Sequence, residues 1–190
     1  MDDEFAAVQR QQTWSLVHAK LSVNLVGCKW VYKLKLHSDG IIARYKARLV
    51  AKGFHQQVGF DYTKTFNPIV KPATVKLILA IAVSFSWPLR QLDISNAFLH
   101  GILKEEVYMQ QPPSYVDSKF PQHVCRLHKS VYGLKQAPRA WFEHFTSQIL
   151  HLGFTASLAD SSLFIYHNSH TTIYLLVYVD DIIITRNNPL

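Results

Sequence analysis

The stretch Tyr174-Leu175-Leu176-Val177-Tyr178-Val179-Asp180-Asp181-Ile182-Ile183-Ile184-Thr185 decides how the rest of the chain is read. An apolar run of strand-favouring residues is broken by two adjacent aspartates and then resumes. Strand interiors rarely hold two carboxylates, because burying them unpaired is costly. A tight hairpin tip presents both. Adjacent like charges repel, so the pair calls for a cation beside it. Mg²⁺ fits: it prefers hard oxygen ligands and is commonly held by one or two carboxylates plus substrate phosphates. The other reading is a solvated turn between two core strands. A third carboxylate, a basic surface and a nucleotide pocket elsewhere in the chain would separate the two.

At 190 residues the chain can bury a sizeable core, and an apolar fraction of 48% argues against disorder. The aspartate pair interrupts the longest apolar run, so no segment is long enough to span a membrane as a helix. Met1-Asp2-Asp3-Glu4 is acidic, unlike a secretory signal. Two cysteines, Cys28 and Cys125, give no disulfide framework and point to a reducing compartment. The net charge is +7, unevenly spread: Lys20 through Lys76 holds eleven Lys/Arg against Asp39 and Asp61, a local +9 that leaves −2 for the remainder. Such a segment suits a polyanion; a merely soluble basic surface is the alternative.

Residues 1–26 read as a lead-in, with a helical turn or two over Glu4 to Gln12. Cys28 to Leu36 alternates, with Lys29, Val31, Lys33 and Lys35 on one face. Ser38-Asp39-Gly40 signals a turn, and Ile41 to Lys52 returns with Arg44, Lys46 and Arg48 at period two. The result is a β-hairpin carrying a row of cations, more than edge protection requires. Gly53 to Pro68 reads as an irregular, aromatic-rich connection. Pro72 to Ser86 predicts a mostly buried helix. Leu89 to Ile94 predicts a strand with Asp93 at its end, followed by short strands near Glu106 to Gln110 and His123 to Leu127. A helix is expected from about Ala137 to Leu152, closed by Gly153. Ser162 to Tyr166, Thr172 to Val179 and Ile182 to Thr185 complete the strands. The fold class is α+β, an antiparallel sheet with helices on one face.

Asp93 and the Asp180-Asp181 pair are the candidate metal site, since two-metal phosphoryl transfer needs carboxylates that bridge closely spaced ions. His123-x-Cys125-x-x-His128 is a weaker rival: the residue types suit zinc, but strand alternation puts His128 on the opposite face from His123 and Cys125.

Six segments fit one pattern. Tyr178-Val179-Asp180-Asp181 looks like the Tyr-x-Asp-Asp motif of reverse transcriptases. Gln91-Leu92-Asp93-Ile94-Ser95-Asn96-Ala97-Phe98-Leu99-His100-Gly101 resembles the first catalytic motif of copia-type retrotransposon polymerases, and Glu105 to Pro112 the segment after it. Tyr132-Gly133-Leu134-Lys135-Gln136-Ala137-Pro138-Arg139-Ala140-Trp141 resembles their second motif. Gly27 to Lys33 and Tyr45 to Gly53 resemble their fingers. One such motif alone is weak; the ordered set, from about Trp14 onward, is highly specific.

This resemblance implies a right-hand polymerase: a lead-in over 1–26, a fingers-like hairpin and helix over 27–86, and a palm-like catalytic part over 87–190, with the thumb absent. It implies RNA-directed DNA synthesis by two-metal nucleotidyl transfer, with Mg²⁺ or Mn²⁺ as cofactor. Its partners would be an RNA template, a DNA primer and deoxynucleoside triphosphates. Asp93, Asp180 and Asp181 would be catalytic, Asp93 and Asp180 the more direct ligands, with the Ile94 carbonyl as a further ligand. Phe98 would reject a 2′-hydroxyl by bulk. Lys46 and Arg48 would hold the triphosphate, and Gln136 would contact template or nucleotide, or simply shape its turn. Lys29, Lys33, Lys35, Arg44 and Lys52 would bind nucleic acid. The setting would be intracellular, in a cytoplasmic retroelement particle or the nucleus. The family pattern continues past this chain into the rest of the palm, a thumb-like region and RNase H, and a polyprotein of this kind also carries an integrase. Arg186 stands where the family commonly has Gly. The chain is therefore expected to be truncated after its Tyr-x-Asp-Asp motif, and the alternative function is an inactive relic that only binds nucleic acid through its basic hairpin.

Overall fold

A computed structural model describes residues 1–19, 23–66 and 69–187. In chain order the elements are α1 (Asp2–Arg10), β1 (Trp14–His18), β2 (Leu25–Val26), β3 (Cys28–Leu36), β4 (Ile42–Ala51), α2 (Pro72–Ser84), β5 (Leu89–Asp93), β6 (Ile102–Met109), β7 (His123–Lys129), α3 (Ala137–His151), β8 (Thr155–Ala156), β9 (Leu163–His167), β10 (Thr172–Tyr178) and β11 (Asp181–Arg186). The fold is mixed α+β. Lys20, in the basic segment, and Asn67-Pro68, in the expected connection, lie outside the described residues.

The elements form two interleaved units, Met1–Thr65 with Phe98–Trp141, and Phe66–Ala97 with Phe142–Leu190. Neither unit is one continuous stretch of chain. Sheet pairing decides it, because strands distant in sequence carry complementary apolar faces.

In the first unit the described residues of the lead-in form α1, β1 and β2. α1 has Asp2, Asp3 and Glu4 in its first turn and Arg10 in its last, matching the helix dipole. β1, β7, β6 and β2 form a four-stranded sheet in that order. β2 runs parallel to β6, and the other pairs are antiparallel. Val8, Val26, Leu49, Leu99, Val107, Met109, Cys125, Leu127 and Val131 form its core. β3 and β4 make a separate hairpin. It is tied to the turn before α3 where the Ala51 N–H donates to the Tyr132 carbonyl at 2.7 Å. The crossing leaves no room for a side chain: a Cβ on Gly133, whose φ is +88°, would lie 2.1 Å from the Ala51 carbonyl oxygen.

In the second unit β5, β11, β10, β9 and β8 form an antiparallel sheet in that order. Helices cover both of its faces, where one was expected. Leu175 and Val177 of β10 pack with Phe142, Phe145 and Ile149 of α3. Leu176 and Tyr174 point the other way and pack with Val75, Ile78 and Ile81 of α2. A strand apolar on both faces needs cover on both. α2 is also less buried than its composition predicts. Only Ile78 and Ala82 are buried, while Leu77, Leu79 and Val83 are exposed. α3 ends at Gly153, as expected. Gly153 (φ +90°) donates to Leu150 and Phe154 donates to Ile149, closing a Schellman cap. Among the described residues no helix is long and apolar enough to cross a membrane.

Candidate active site and nucleic-acid surface

β5 is the edge strand of its sheet, and β11 pairs with it so that Asp181 stands directly opposite Asp93. The Ile94 N–H donates to the Asp180 carbonyl at 2.8 Å. That bond puts Asp93 and Asp181 at the adjoining non-hydrogen-bonded position, where antiparallel neighbours come closest, about 4.5 Å between Cα atoms. Their side chains share the face covered by α2. Like charges in such a pair repel. Gln91 offsets part of this by donating from Nε2 to Asp181 Oδ1 at 3.1 Å. It lies two residues before Asp93, on the same face, and that period-two spacing could have identified it. Ile94, by contrast, turns its side chain into the core on the α3 side.

The turn joining β10 to β11 has two central residues, Val179 and Asp180, between the paired Tyr178 and Asp181. Val179 has φ +57°, a conformation β-branched residues avoid. A positive φ at the first central position alone is the pattern of a type II′ hairpin turn, normally given to glycine. Asp180 thus occupies a strained tip. Asp181 lines a cavity of about 490 Å³ with Val75, Lys76, Gln91, Tyr178 and Ile183.

The donor set suits Mg²⁺. It offers carboxylate oxygens only, two on one face and a third at the adjoining tip, and Mg²⁺ usually completes its shell with water and phosphate. Among the described residues no three His, Cys, Asp or Glu side chains are close enough to hold a metal by themselves. That includes the rival zinc set. His123 packs against His18, ring centroids 4.1 Å apart, and His128 Nε2 is hydrogen-bonded to Ser15. Burial pushes the Cys125 thiol up to about 12, and its side chain packs in the core of the first unit.

In the first unit the hairpin register sets Lys33 opposite Lys46, Lys35 opposite Arg44 and Val31 opposite Arg48. Lys29, Lys33, Lys35, Arg44, Lys46 and Arg48 therefore share one face. Cross-strand like charges cost roughly 0.2–1 kcal/mol per pair, and the Glu4 carboxylate beside Arg48 and Lys46 offsets part of that cost. Lys52 lies just past β4, outside this row. The Arg48 guanidinium sits 4.2 Å over the Tyr132 ring, and Phe98 meets the same ring edge-on at 4.9 Å. Tyr132 links the two and was not among the expected site residues; only the fold brings it there. Glu4 lies beside Arg48 and Lys46, and burial raises its carboxyl above the usual range against their pull.

Gln136 is fully buried. Its Oε1 accepts from Gln56 at 2.8 Å and its Nε2 donates to the Asp61 carbonyl at 2.7 Å. Its amide thereby ties the start of α3 to the loop after β4.

Asp93 on an edge strand thus stands opposite Asp181 of the β10–β11 hairpin, in a chain that also carries a cationic hairpin. The chain belongs to the family described as reverse transcriptase (RNA-dependent DNA polymerase), which matches residues 11–189. It is 51% identical, over 99% of its length, to the retrovirus-related Pol polyprotein from transposon RE2 of Arabidopsis thaliana. It is 49% identical over its whole length to that from transposon RE1 of the same plant, and 41% identical over 97% to that from transposon TNT 1-94 of Nicotiana tabacum. These relatives are copia-type, and the chain spans 13% to 14% of their length.

Proposed function

We propose that this chain is the RNA-directed DNA polymerase portion of a retrotransposon polyprotein, with the Asp93 sheet as palm and the β3–β4 hairpin as fingers. The observation that carries the proposal is the β5–β11 register, which sets Asp93 against Asp181 on one face and Asp180 at the adjoining tip.

Asp93, Asp180 and Asp181 would hold Mg²⁺, or Mn²⁺. When bound, these ions supply charge neutralisation at the α-phosphate and at the attacking primer 3′-hydroxyl, with pyrophosphate leaving. Gln91 orients the Asp181 carboxylate. Arg48, its guanidinium 4.2 Å over the Tyr132 ring, would offer bidentate contact to a phosphate, and Lys46 would add a point charge. Phe98, braced by Tyr132, supplies bulk against a 2′-hydroxyl. The remaining cations track the backbones of template and primer. Positioning and electrostatics carry most of such a reaction. The integrase and RNase H parts of a polyprotein would act beside it, in an intracellular particle or the nucleus.

Primer extension on an RNA template tests the reading. Incorporation should require Mg²⁺ and disappear in Asp93→Asn and Asp180→Asn. No incorporation above the Asp180→Asn protein would sink activity for this chain; salt-dependent binding without synthesis would reduce the reading to nucleic-acid binding.

A further inference from the structure

The loop after β4 has inverted polarity. Its polar side chains Gln56 and Asp61 are 5% and 3% exposed, while Phe54 and Phe60 are 75% and 78% exposed. Looseness does not explain this, because the loop is pinned from within. Asp61 Oδ2 accepts from the Gln57 N–H at 2.7 Å and from Asn24 Nδ2 at 2.5 Å. Gln56 Oε1 accepts from the Lys135 N–H at 2.8 Å, and the Asp61 N–H donates to the Gln57 carbonyl at 2.9 Å. The Phe54 ring is held edge-on to His55, centroids 4.5 Å apart, and His55 Nδ1 accepts from the Gly27 N–H. A framework this well bonded that turns two phenyl rings outward gives up burial it could otherwise use.

The surrounding charge identifies what covers the rings. Asp61 is the only acidic residue between Asp39 and Asp93, and it is buried. Lys52 and Lys64 flank the loop in sequence, and Lys135 Nζ lies 4.8 Å over the Tyr62 ring. Exposed aromatics on a hydrogen-bonded loop flanked by lysines match an unstacked, negatively charged strand, whose bases stack while its phosphates meet lysines. A duplex keeps its bases stacked on each other and cannot use such rings.

We propose that Phe54 and Phe60 form a stacking platform for single-stranded nucleic acid, separate from the cationic face of the β3–β4 hairpin. The inference rests on the proposed function only for the class of partner.

The test is fluorescence anisotropy with the full chain, using labelled single-stranded RNA of about 12 nucleotides, within the usual site size, and a blunt duplex of equal length. Phe54→Ala and Phe60→Ala should each weaken single-strand binding by about 5- to 150-fold, the range of one lost base stack. Salt dependence, duplex binding and thermal midpoint should stay unchanged, and Phe54→Trp should retain affinity. Replacing Lys33 and Lys46 by alanine should instead flatten the salt dependence, by about 0.7 in log–log slope per cation. Single-strand binding by the Phe54→Ala/Phe60→Ala protein within about twofold of wild type would overturn the platform while leaving the polymerase reading intact. No binding by the wild type would overturn both.

Discussion

Asp160 holds α2 onto the sheet that carries Asp93 and Asp181, and Asp160→Ala tests that account. Lys71, the N-cap residue of α2, makes no side-chain cap, and Pro72 follows it. Asp160 supplies the cap from elsewhere in the chain. Its Oδ2 accepts from the Lys71 N–H at 2.9 Å and the Thr74 hydroxyl at 2.6 Å, and its Oδ1 from the Ser162 N–H at 3.0 Å. Hydrogen bonds to a charged acceptor contribute about 1.5–3 kcal/mol each when deleted singly. They are not additive, and water refills part of the site, so the total loss should be about 2–4 kcal/mol. For a chain of this size that lowers the thermal midpoint by about 6–12 °C.

The pH dependence has a definite sign. Burial by itself would raise the Asp160 carboxyl, but the bonds from Thr74, Lys71 and Ser162 outweigh it and hold the group below the usual aspartate value. A depressed carboxyl stabilises above its unfolded-state pKa, and the effect is lost as pH falls through the folded-state value. The stability gap between wild type and Asp160→Ala should therefore be full at neutral pH and close below about pH 4. Urea unfolding followed by circular dichroism at pH 7 and at about pH 3 measures both. A gap under about 1 kcal/mol at pH 7, or one of equal size at both values, would refute the reasoning.

Three further outcomes follow from the geometry. Val179→Gly should relieve about 1–3 kcal/mol of backbone strain against about 0.5–1 kcal/mol of added chain entropy, so its urea midpoint should rise slightly; a fall would show that Val179 is not strained. Glu105→Ala leaves the Arg139 guanidinium largely buried without its carboxylate, and should cost about 3–5 kcal/mol, with partial recovery on adding Arg139→Met; a loss within 1 kcal/mol would mean that solvent reaches the pair. Gly133→Ala drives a methyl into the Ala51 carbonyl at a positive φ and should cost at least about 3 kcal/mol, read as loss of soluble, cooperatively melting protein.

Local chemistry in the sequence determined a good deal of this protein. Period-two alternation marked β3 and β4 and put their cations on one face. The Asp-Asp break marked a hairpin tip, Pro72 marked the start of α2 and Gly153 the end of α3. These signals act over a few residues, within reach of sequence reading. Tertiary structure alone decided which strands pair. The Asp93–Asp181 pairing joins residues 88 positions apart, and β1 and β2, within an apparent lead-in, complete a sheet with β6 and β7. It also decided that both faces of β10 are covered, that Tyr132 lies under Arg48, and that Gln136 faces inward while Phe54 and Phe60 face out. An alternating or apolar run states that a face wants a partner; only the packed chain, where burial and hydrogen bonding are satisfied together, says which partner that face receives.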